Sequence, residues 1–261
     1  VLQVGGQSLP IIVSTIATSL IVAFALYKAL HMDSNISTLI GVGSSICGGS
    51  AIAAVAPVID AKDSDIAYAL SATFLFDMAM IVLFPIMGRA MGLSDMAYGL
   101  WAGTAVNDTS SVVAAGYAFS EGAGDFATMV KLTRTLAIIP TVVVFSFVSM
   151  HLRKKEAAAS GGAVQIRWRS VFPWFILGFL AMAVLSSVGV IPAAAAAALK
   201  KVSKFLMVTA LAAVGLNTSF AEMKKSGAAP MVHGFLISAL VVLVALVVEY
   251  FICLLYTSDA A

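Results

Sequence analysis

The sequence predicts an all-α polytopic membrane protein, and three observations carry that prediction. Hydrophobic residues make up 61% of the 261-residue chain and charged residues 11%, where a soluble domain holds about 25% charged residues. Apolar stretches recur at the length of about 20 residues that a helix needs to cross a bilayer, and mean hydropathy is +1.03. In the middle of one stretch lies Gly41–Ser50, GVGSSICGGS, with four glycines and three serines. Glycine inside a helix costs roughly 1 kcal/mol relative to alanine. Backbone at membrane depth is tolerated unpaired only where protein or a cavity covers it. The second stretch is therefore expected to be a broken helix, buried by the other segments.

About eight spans follow from the apolar runs. Leu9–Leu30 is the first, with Pro10 in its opening turn, where a missing N–H is harmless. Ser37–Ile59 is the second and holds the Gly/Ser run. Ile66–Met87, Ala97–Tyr117 and Met129–Met150 are the third, fourth and fifth. Val171–Val190 is the sixth, with Phe172 and Trp174 suited to an interfacial belt. Ala193–Phe220 is the seventh, its start made interfacial by Lys200, Lys201 and Lys204, and Asn217-Thr218-Ser219 reads as its end. Ala229–Leu255 is the eighth. Residues 1–252 read as a single transmembrane domain, with 151–170 as a linker that includes the flexible run Ala157–Gly162 (AAASGG).

Orientation follows from lysine and arginine. The connection His151–Ser170 holds Arg153, Lys154, Lys155, Arg167 and Arg169 and is expected in the cytoplasm. Alternation of eight spans then puts Lys28, Arg89, Lys224 and Lys225 inside, and the acidic stretches Asp60–Asp65 and Ser120–Asp125 outside. The chain starts at Val1 without a methionine or a basic n-region, which is unlike a signal peptide and suggests that N-terminal helices are missing. Residues 253–261, CLLYTSDAA, read as a non-native tail. Cys47 and Cys253 are too few for a disulfide framework or a zinc site. No nucleic-acid motif is present.

Three successive segments carry polarity near their centres, which lie at Gly48, Asp77 and Asn107. A carboxylate at the bilayer centre costs about 2.5–3.5 kcal/mol or more, so such groups face a bundle interior, a partner or water. A helix restarting after Gly48 presents free N–H groups and a positive dipole end. With Ser44, Ser45, Cys47, Gly48, Gly49 and Ser50 beside it, that geometry suits an anion, although close helix packing also uses small residues. Asn107, Asp108, Thr109 and Ser110 gather carboxamide, carboxylate and hydroxyl oxygens within about one turn. They are candidates to hold Na⁺ or a proton if the backbone unwinds there, with Asp77 as a second acidic candidate. Lys131 and Arg134 share a helix face at a spacing of three. They are expected one to two turns inside the outer end of the fifth segment, to balance Asp77 or Asp108 or to attract an anionic substrate, or else to snorkel to the interface. His31, His151 and His233 fall at segment ends or in loops, and Glu249 near the end of the last helix is expected to be exposed.

The motifs GVGSSICGGSAIAAVAPVI, GTAVNDTSSVVAAG, KLTRTLAIIP, PWFILGF and ALAAVGLNTSF occur in this order. In that order they resemble the YeiH-like sulfate exporter family of bacterial inner-membrane proteins. The resemblance spans nearly all of residues 36–250. That family is similar to cation/proton antiporters and bile-acid transporters. The resemblance therefore implies half to most of an inverted-repeat bundle, with discontinuous helices crossing at mid-membrane. Many members carry His-Glu where this chain has Asn107-Asp108, which keeps the acid and removes the imidazole.

The expected function is secondary active export of a small anion, sulfate or a sulfonate, across the bacterial inner membrane. Na⁺ or H⁺ would be the coupling ion, with no other cofactor, and association into homodimers is left open. An anion channel is the first alternative. An intramembrane enzyme would need Asp77 and Asp108 as a pair or an activated serine, and no histidine is placed to activate one. A purely structural subunit would tolerate apolar replacement of the central polar groups.

Overall fold

The structure is a computed structural model that describes residues 2–159 and 228–258, with scattered positions between 178 and 209. The larger part of the sixth and seventh expected spans lies outside the described residues, as do Lys200, Lys204, residues 160–162 and residues 259–261. The chain divides into two compact units, residues 1–141 with 227–261, and residues 142–226. In the second unit, a turn at Gly189 (φ 78°) is closed by Val190 N–H donating to the Leu185 carbonyl at 3.1 Å. All of the geometry below belongs to the first unit.

The described elements are helical: α1 (Leu2–Leu30), α2 (Ser34–Ser45), α3 (Gly49–Val55), α4 (Asp63–Ala90), α5 (Asp95–Ala105), α6 (Thr109–Phe119), α7 (Glu121–Thr135), α8 (Ile138–Ala159) and α9 (Ala229–Ser258). Among the described residues, four helical runs are long and apolar enough to cross a membrane: Ser8–Leu30, Asp63–Ala90, Glu121–His151 and Ala229–Phe251. Expected spans one, three and eight thus agree to within a few residues as apolar runs, but α1 itself starts at Leu2, so Pro10 lies inside the helix and not in its opening turn.

The second and fourth expected spans are corrected. Each is a pair of half-helices that folds back on itself. At about 1.5 Å per residue, 11 or 12 residues rise only about 16–18 Å, roughly half of a bilayer's apolar core. In α2–α3, Gly43 lies against Ile52, so that a Cβ added at Gly43 would sit 2.8 Å from Ile52 Cδ1. In a straight helix these two residues would stand about 13 Å apart along the axis. In α5–α6 the base of the hairpin is stapled. Tyr98 Oη donates to the Ala115 carbonyl at 2.9 Å, and the Tyr98 and Phe119 rings stack at 4.0 Å. Caps start these short helices: Asp33 accepts from Asn35 N–H at 2.8 Å and Ser94 from Ala97 N–H at 3.3 Å.

The two re-entrant hairpins enter from opposite ends of the bundle. The α2–α3 base lies with the end of α1 and the start of α9: Ser37 Oγ donates to the Ala23 carbonyl at 3.1 Å and stands 3.1 Å from His233 Nε2. Helix α4 runs parallel to α9, with Phe76 against Phe235 near one end and Trp101, stacked at 4.1 Å on Phe84, donating to the Val242 carbonyl farther along. The α5–α6 base lies at the far end of α4, where Arg89 donates to the Ala118 carbonyl at 2.8 Å. The alternation expected from sequence is therefore corrected as well. Asp60–Asp65 shares the face of Lys28, and Arg89 sits on the opposite face. Single cysteines at His31 and Ser64, in a background without Cys47 and Cys253, are expected to react with an impermeant maleimide from the same side of the membrane. One at Ser94 should react from the other side. Labelling of His31 together with Ser94, and of Ser64 from the opposite side, would restore eight straight spans.

Helix α7 carries the next correction. Ser120–Asp125, expected as an acidic loop, is its first turns, with Ser120 Oγ accepting from Ala123 N–H at 3.0 Å. The fifth segment thus begins eight residues before Met129. Helix α7 packs along the α5–α6 hairpin from base to tip. The backbones come close at Gly103, where an added Cβ would lie 2.8 Å from the Ala127 carbonyl oxygen and 2.8 Å from Val130 Cβ. Any side chain there would push α5 away from α7. Lys131 stands 10 residues into α7, about 15 Å from its start, which is the depth of the hairpin tips.

Candidate functional site

The site forms where the two hairpin tips meet. Helix α2 ends because Gly48 turns the chain with φ 64° and ψ −125°, a backbone conformation that glycine adopts without a Cβ penalty. Its N–H reaches back to the Gly43 carbonyl at 2.9 Å. An added Cβ at Gly48 would touch the other tip, 3.4 Å from Asp108 Cβ and 3.5 Å from Asp108 Cα. The backbone does unwind at Asn107–Asp108, between the end of α5 and the start of α6. The expected breaks are therefore present, and they face each other.

Lys131 and Arg134 are fully buried, and neither the outer-end position nor snorkelling describes them. Lys131 Nζ donates to the carbonyls of Ile46 at 2.7 Å and Val106 at 3.0 Å. Arg134 donates through Nε to Ser45 at 2.9 Å, through Nη1 to Val106 at 3.2 Å and through Nη2 to Ser44 at 2.7 Å. These are the last carbonyls of α2 and α5, which have no partner within their own helices. Two cations thus meet two negative dipole ends. The planar guanidinium suits this task because its donors fan out in a fixed fork.

Asp77 lies at the positive end of the other half-helix. Its Oδ1 accepts from Asn107 N–H at 3.1 Å and its Oδ2 from Asp108 N–H at 3.0 Å. The expected direct pairing of Asp77 with a cation is replaced by this amide clamp. Asp108 is the cap of α6. Its Oδ2 accepts from Ser110 N–H at 2.8 Å, from Ser111 N–H at 3.3 Å and from the Ser110 hydroxyl. All of these bonds fall on one carboxylate oxygen.

A polar thread ties the tips to α9. Asn107 Nδ2 donates to Ser238 Oγ at 3.1 Å, and Ser238 Oγ to Ser44 Oγ at 3.4 Å. Asn107 Oδ1 is buried without a hydrogen-bond partner. Ser45 turns its hydroxyl back to the Val42 carbonyl at 2.8 Å. Cys47 is buried and unpaired. Gly49 and Thr109 are half-buried, and Ser50 and Ser110 are exposed, so both breaks open at the first turn of their second half-helix.

Sequence reasoning missed three groups. Ser238 sits in an apolar helix, where a serine bonded to its own helix looks the same in sequence. His233, expected at a segment end, is buried beside Ser37. Glu249, expected exposed, is 4% exposed. Only its spacing from Ser238, 11 residues or three turns at 3.6 per turn, signalled that it shares the inward face of α9.

The profile of a family described as "Conserved hypothetical protein 698" matches residues 1–234. The chain belongs to that family. A UPF0324 membrane protein of Clostridium tetani is 52% identical over 256 residues, covering 95% of this chain and 74% of the relative. A UPF0324 membrane protein of Streptococcus pyogenes serotype M3 is 46% identical over 257 residues, with coverage of 95% and 74%. One of Streptococcus mutans serotype c is 45% identical over 258 residues, with coverage of 96% and 75%. No solved structure matches. The family and its apolar helices make this a multi-pass membrane protein, and the relatives' names specify no substrate.

Proposed function

We propose that the protein is a secondary active transporter that moves a small anion through the paired hairpin tips. The observation that carries this reading is the meeting of two re-entrant breaks around Lys131, Arg134, Asp77 and Asp108, all at most 6% exposed. Four ionisable groups at membrane depth are each costly. Here they neutralise the ends of half-helices whose free amides and carbonyls a continuous helix would have satisfied for itself. Broken helices with such compensated ends are the usual form of substrate and ion sites in transporters. A structural subunit has no need of the breaks.

The anion is supported by the unused donors. Arg134 uses three of its five N–H groups and Lys131 two of its three. Gly49 is half-buried and Ser50 exposed at the adjoining start of α3, and the resemblance to sulfate exporters of the bacterial inner membrane points to the same substrate class. Asp108 supports coupling: with its hydrogen bonds on Oδ2 alone, Oδ1 is left to take a proton or Na⁺, near the unpartnered Asn107 Oδ1. The enzyme reading is disfavoured because Asp77 holds two backbone amides with its two oxygens. A channel would need the tips to part without coupling.

Sulfate flux in proteoliposomes under imposed pH and Na⁺ gradients tests the proposal. Flux accelerated by one gradient is expected, with a drop of at least tenfold in Asp108→Asn while membrane insertion is retained. Flux that ignores both gradients would make the protein a channel. Unchanged coupling in Asp108→Asn would remove that residue from the ion path.

A further inference from the structure

Glu249 lies on the buried face of α9, away from the hairpin tips. Both of its carboxyl oxygens are shut off from solvent and meet no hydrogen-bond partner among the described residues. The ionisable groups of the helices packed on α9 are committed elsewhere. On α4, Arg89 donates to the Ala118 carbonyl, and Asp77 is held by the tip amides. On α5, Tyr98 donates to the Ala115 carbonyl, and Asp95 lies against Gly122 of α7. On α1, Lys28 lies over the Phe24 ring at the opposite end of the bundle, as do Asp63 and Asp65 at the start of α4. Helix α2 brings no ionisable side chain. On α9 itself, His233 stands at the far end beside Ser37, and Tyr250 is exposed. No charged side chain among the described residues acts on the Glu249 carboxyl. A carboxylate so placed would lose its hydration for nothing in return, so the form that fits this site is the neutral acid.

We propose that Glu249 is a proton-binding site, which holds a proton in this state and exchanges it with water when its end of α9 moves. In the exchange the carboxyl O–H bond breaks and the proton passes to a water that enters at the α4–α5 turn. The carboxylate left behind takes a proton back before α9 closes. Two features give the proton a route. An apolar cavity of about 570 Å³, lined by Met91, Leu93, Ala97 and Leu246, flanks this end of α9. The carboxyl oxygens are covered from it, so the proton leaves only when the helix shifts, and the space makes a shift less costly than in a close-packed core. Gly92, Ser94 and Asp95 of the adjoining turn are exposed, which brings water to the same end. The helix that shifts is also the one tied to the tips. Ser238, 11 residues before Glu249 and about 16 Å from it along the axis, accepts from Asn107 and donates to Ser44. Membrane carboxyls commonly serve in proton relays. The part of this proton in coupling rests on the transport reading above, whereas the proton site itself does not.

Infrared spectroscopy of the full chain in phosphatidylcholine nanodiscs reads this proton directly. A protonated carboxyl without hydrogen bonds has its C=O stretch at the high-frequency end of the carboxyl range, apart from the bonded carboxyls of Asp77 and Asp108. Such a band is expected in the wild-type chain at neutral pH. It should shift when the protein is made with glutamate isotopically labelled at its side-chain carboxyl carbon, and vanish in Glu249→Gln, whose amide matches the neutral acid in size. In heavy water it should move to the O–D position, which requires that the proton has left and been replaced. If Glu249→Gln fails to fold, the labelled wild-type chain decides. A band that is absent from wild type, unmoved by the label or retained in Glu249→Gln overturns the proposal, and so does a proton that never exchanges. Sulfate should speed the exchange at least tenfold. Sulfate flux in proteoliposomes without faster exchange overturns the part of Glu249 in coupling. An exchanging proton without sulfate flux upholds the proton site and counts against the transport reading alone.

Discussion

Arg134→Met is expected to lower the unfolding free energy by about 3–5 kcal/mol, the range for removing one partner from a buried charged network. Two effects oppose each other. Removing a cation from the membrane interior recovers its desolvation cost, which favours the variant. Against that, the carbonyls of Ser44, Ser45 and Val106 lose a donor. Each newly unsatisfied buried group costs about 1–3 kcal/mol. Asp77 and Asp108 also lose half of the positive charge that balances them. Two orphaned acceptors, with Val106 left to Lys131 alone, outweigh one relieved cation, so the sign is destabilising. Arg134→Lys restores the charge but not the fork, and an intermediate loss is expected. Lys131→Met orphans the Ile46 carbonyl and leaves Val106 with Arg134 alone, so its loss should be smaller than that of Arg134→Met. Denaturant unfolding in detergent micelles orders the three. An Arg134→Met protein as stable as wild type would mean that the tips are held by something other than these cations.

The positions of the two breaks were legible in the residues themselves. Gly41–Ser50 is too poor in helix formers to run through, and Asn107–Ser111 places side chains that compete for backbone amides where a helix would need none of them. The central charges were legible for the same reason, since polarity is rare at that depth. The direction of the chain after each break was not. A hydropathy window of about 20 residues cannot separate one crossing helix from two half-helices laid side by side. What decides is tertiary: Gly43 against Ile52, the Tyr98 ring on Phe119, and α7 seated in the groove opened by Gly103. Lys131 and Arg134 were placed too near the surface because Glu121-Gly122-Ala123-Gly124-Asp125 reads as a loop. In the fold Gly124 packs against Tyr117 and Gly122 against Asp95. That contact with the hairpin base turns a weak helical sequence into the first turns of α7. Ser238 was invisible for the opposite reason. A lone serine in an apolar helix has a satisfactory bond within its own backbone, and only the arrival of Asn107 and Ser44 gives it another use.

Asp77→Asn should loosen the hairpin tips, and Cys47 provides a reporter for it. The carboxylate of Asp77 holds two adjacent amides, one on each oxygen. Asparagine offers one oxygen, and its NH₂ then faces the second N–H donor to donor. That orphaned amide costs about 1–3 kcal/mol, and loss of the negative charge at the start of α6 adds about 0.3–1 kcal/mol. The opened state of the tip is therefore raised in population by about tenfold to several hundredfold, at about 1.4 kcal/mol per factor of ten. Cys47, 1% exposed beside the meeting point, becomes reachable only in that state. With Cys253 replaced by serine, wild-type Cys47 is expected to react slowly with a small maleimide, and Asp77→Asn to speed the reaction by at least tenfold. Asp108→Asn is the discriminating control. Asp108 caps its own helix through Ser110 and Ser111, an arrangement that the Asn107 and Asp108 amides held by Asp77 do not depend on. Its replacement should impair coupled flux while changing the Cys47 rate by less than about threefold, within about 0.7 kcal/mol of the wild-type opening energy. Equal acceleration by both variants would mean that the two carboxylates form one structural unit, and the separation of an anchoring Asp77 from an ion-carrying Asp108 would fall. Acceleration confined to Asp77→Asn, together with loss of gradient-driven flux confined to Asp108→Asn, would assign the first residue to holding the tip and the second to the transported charge.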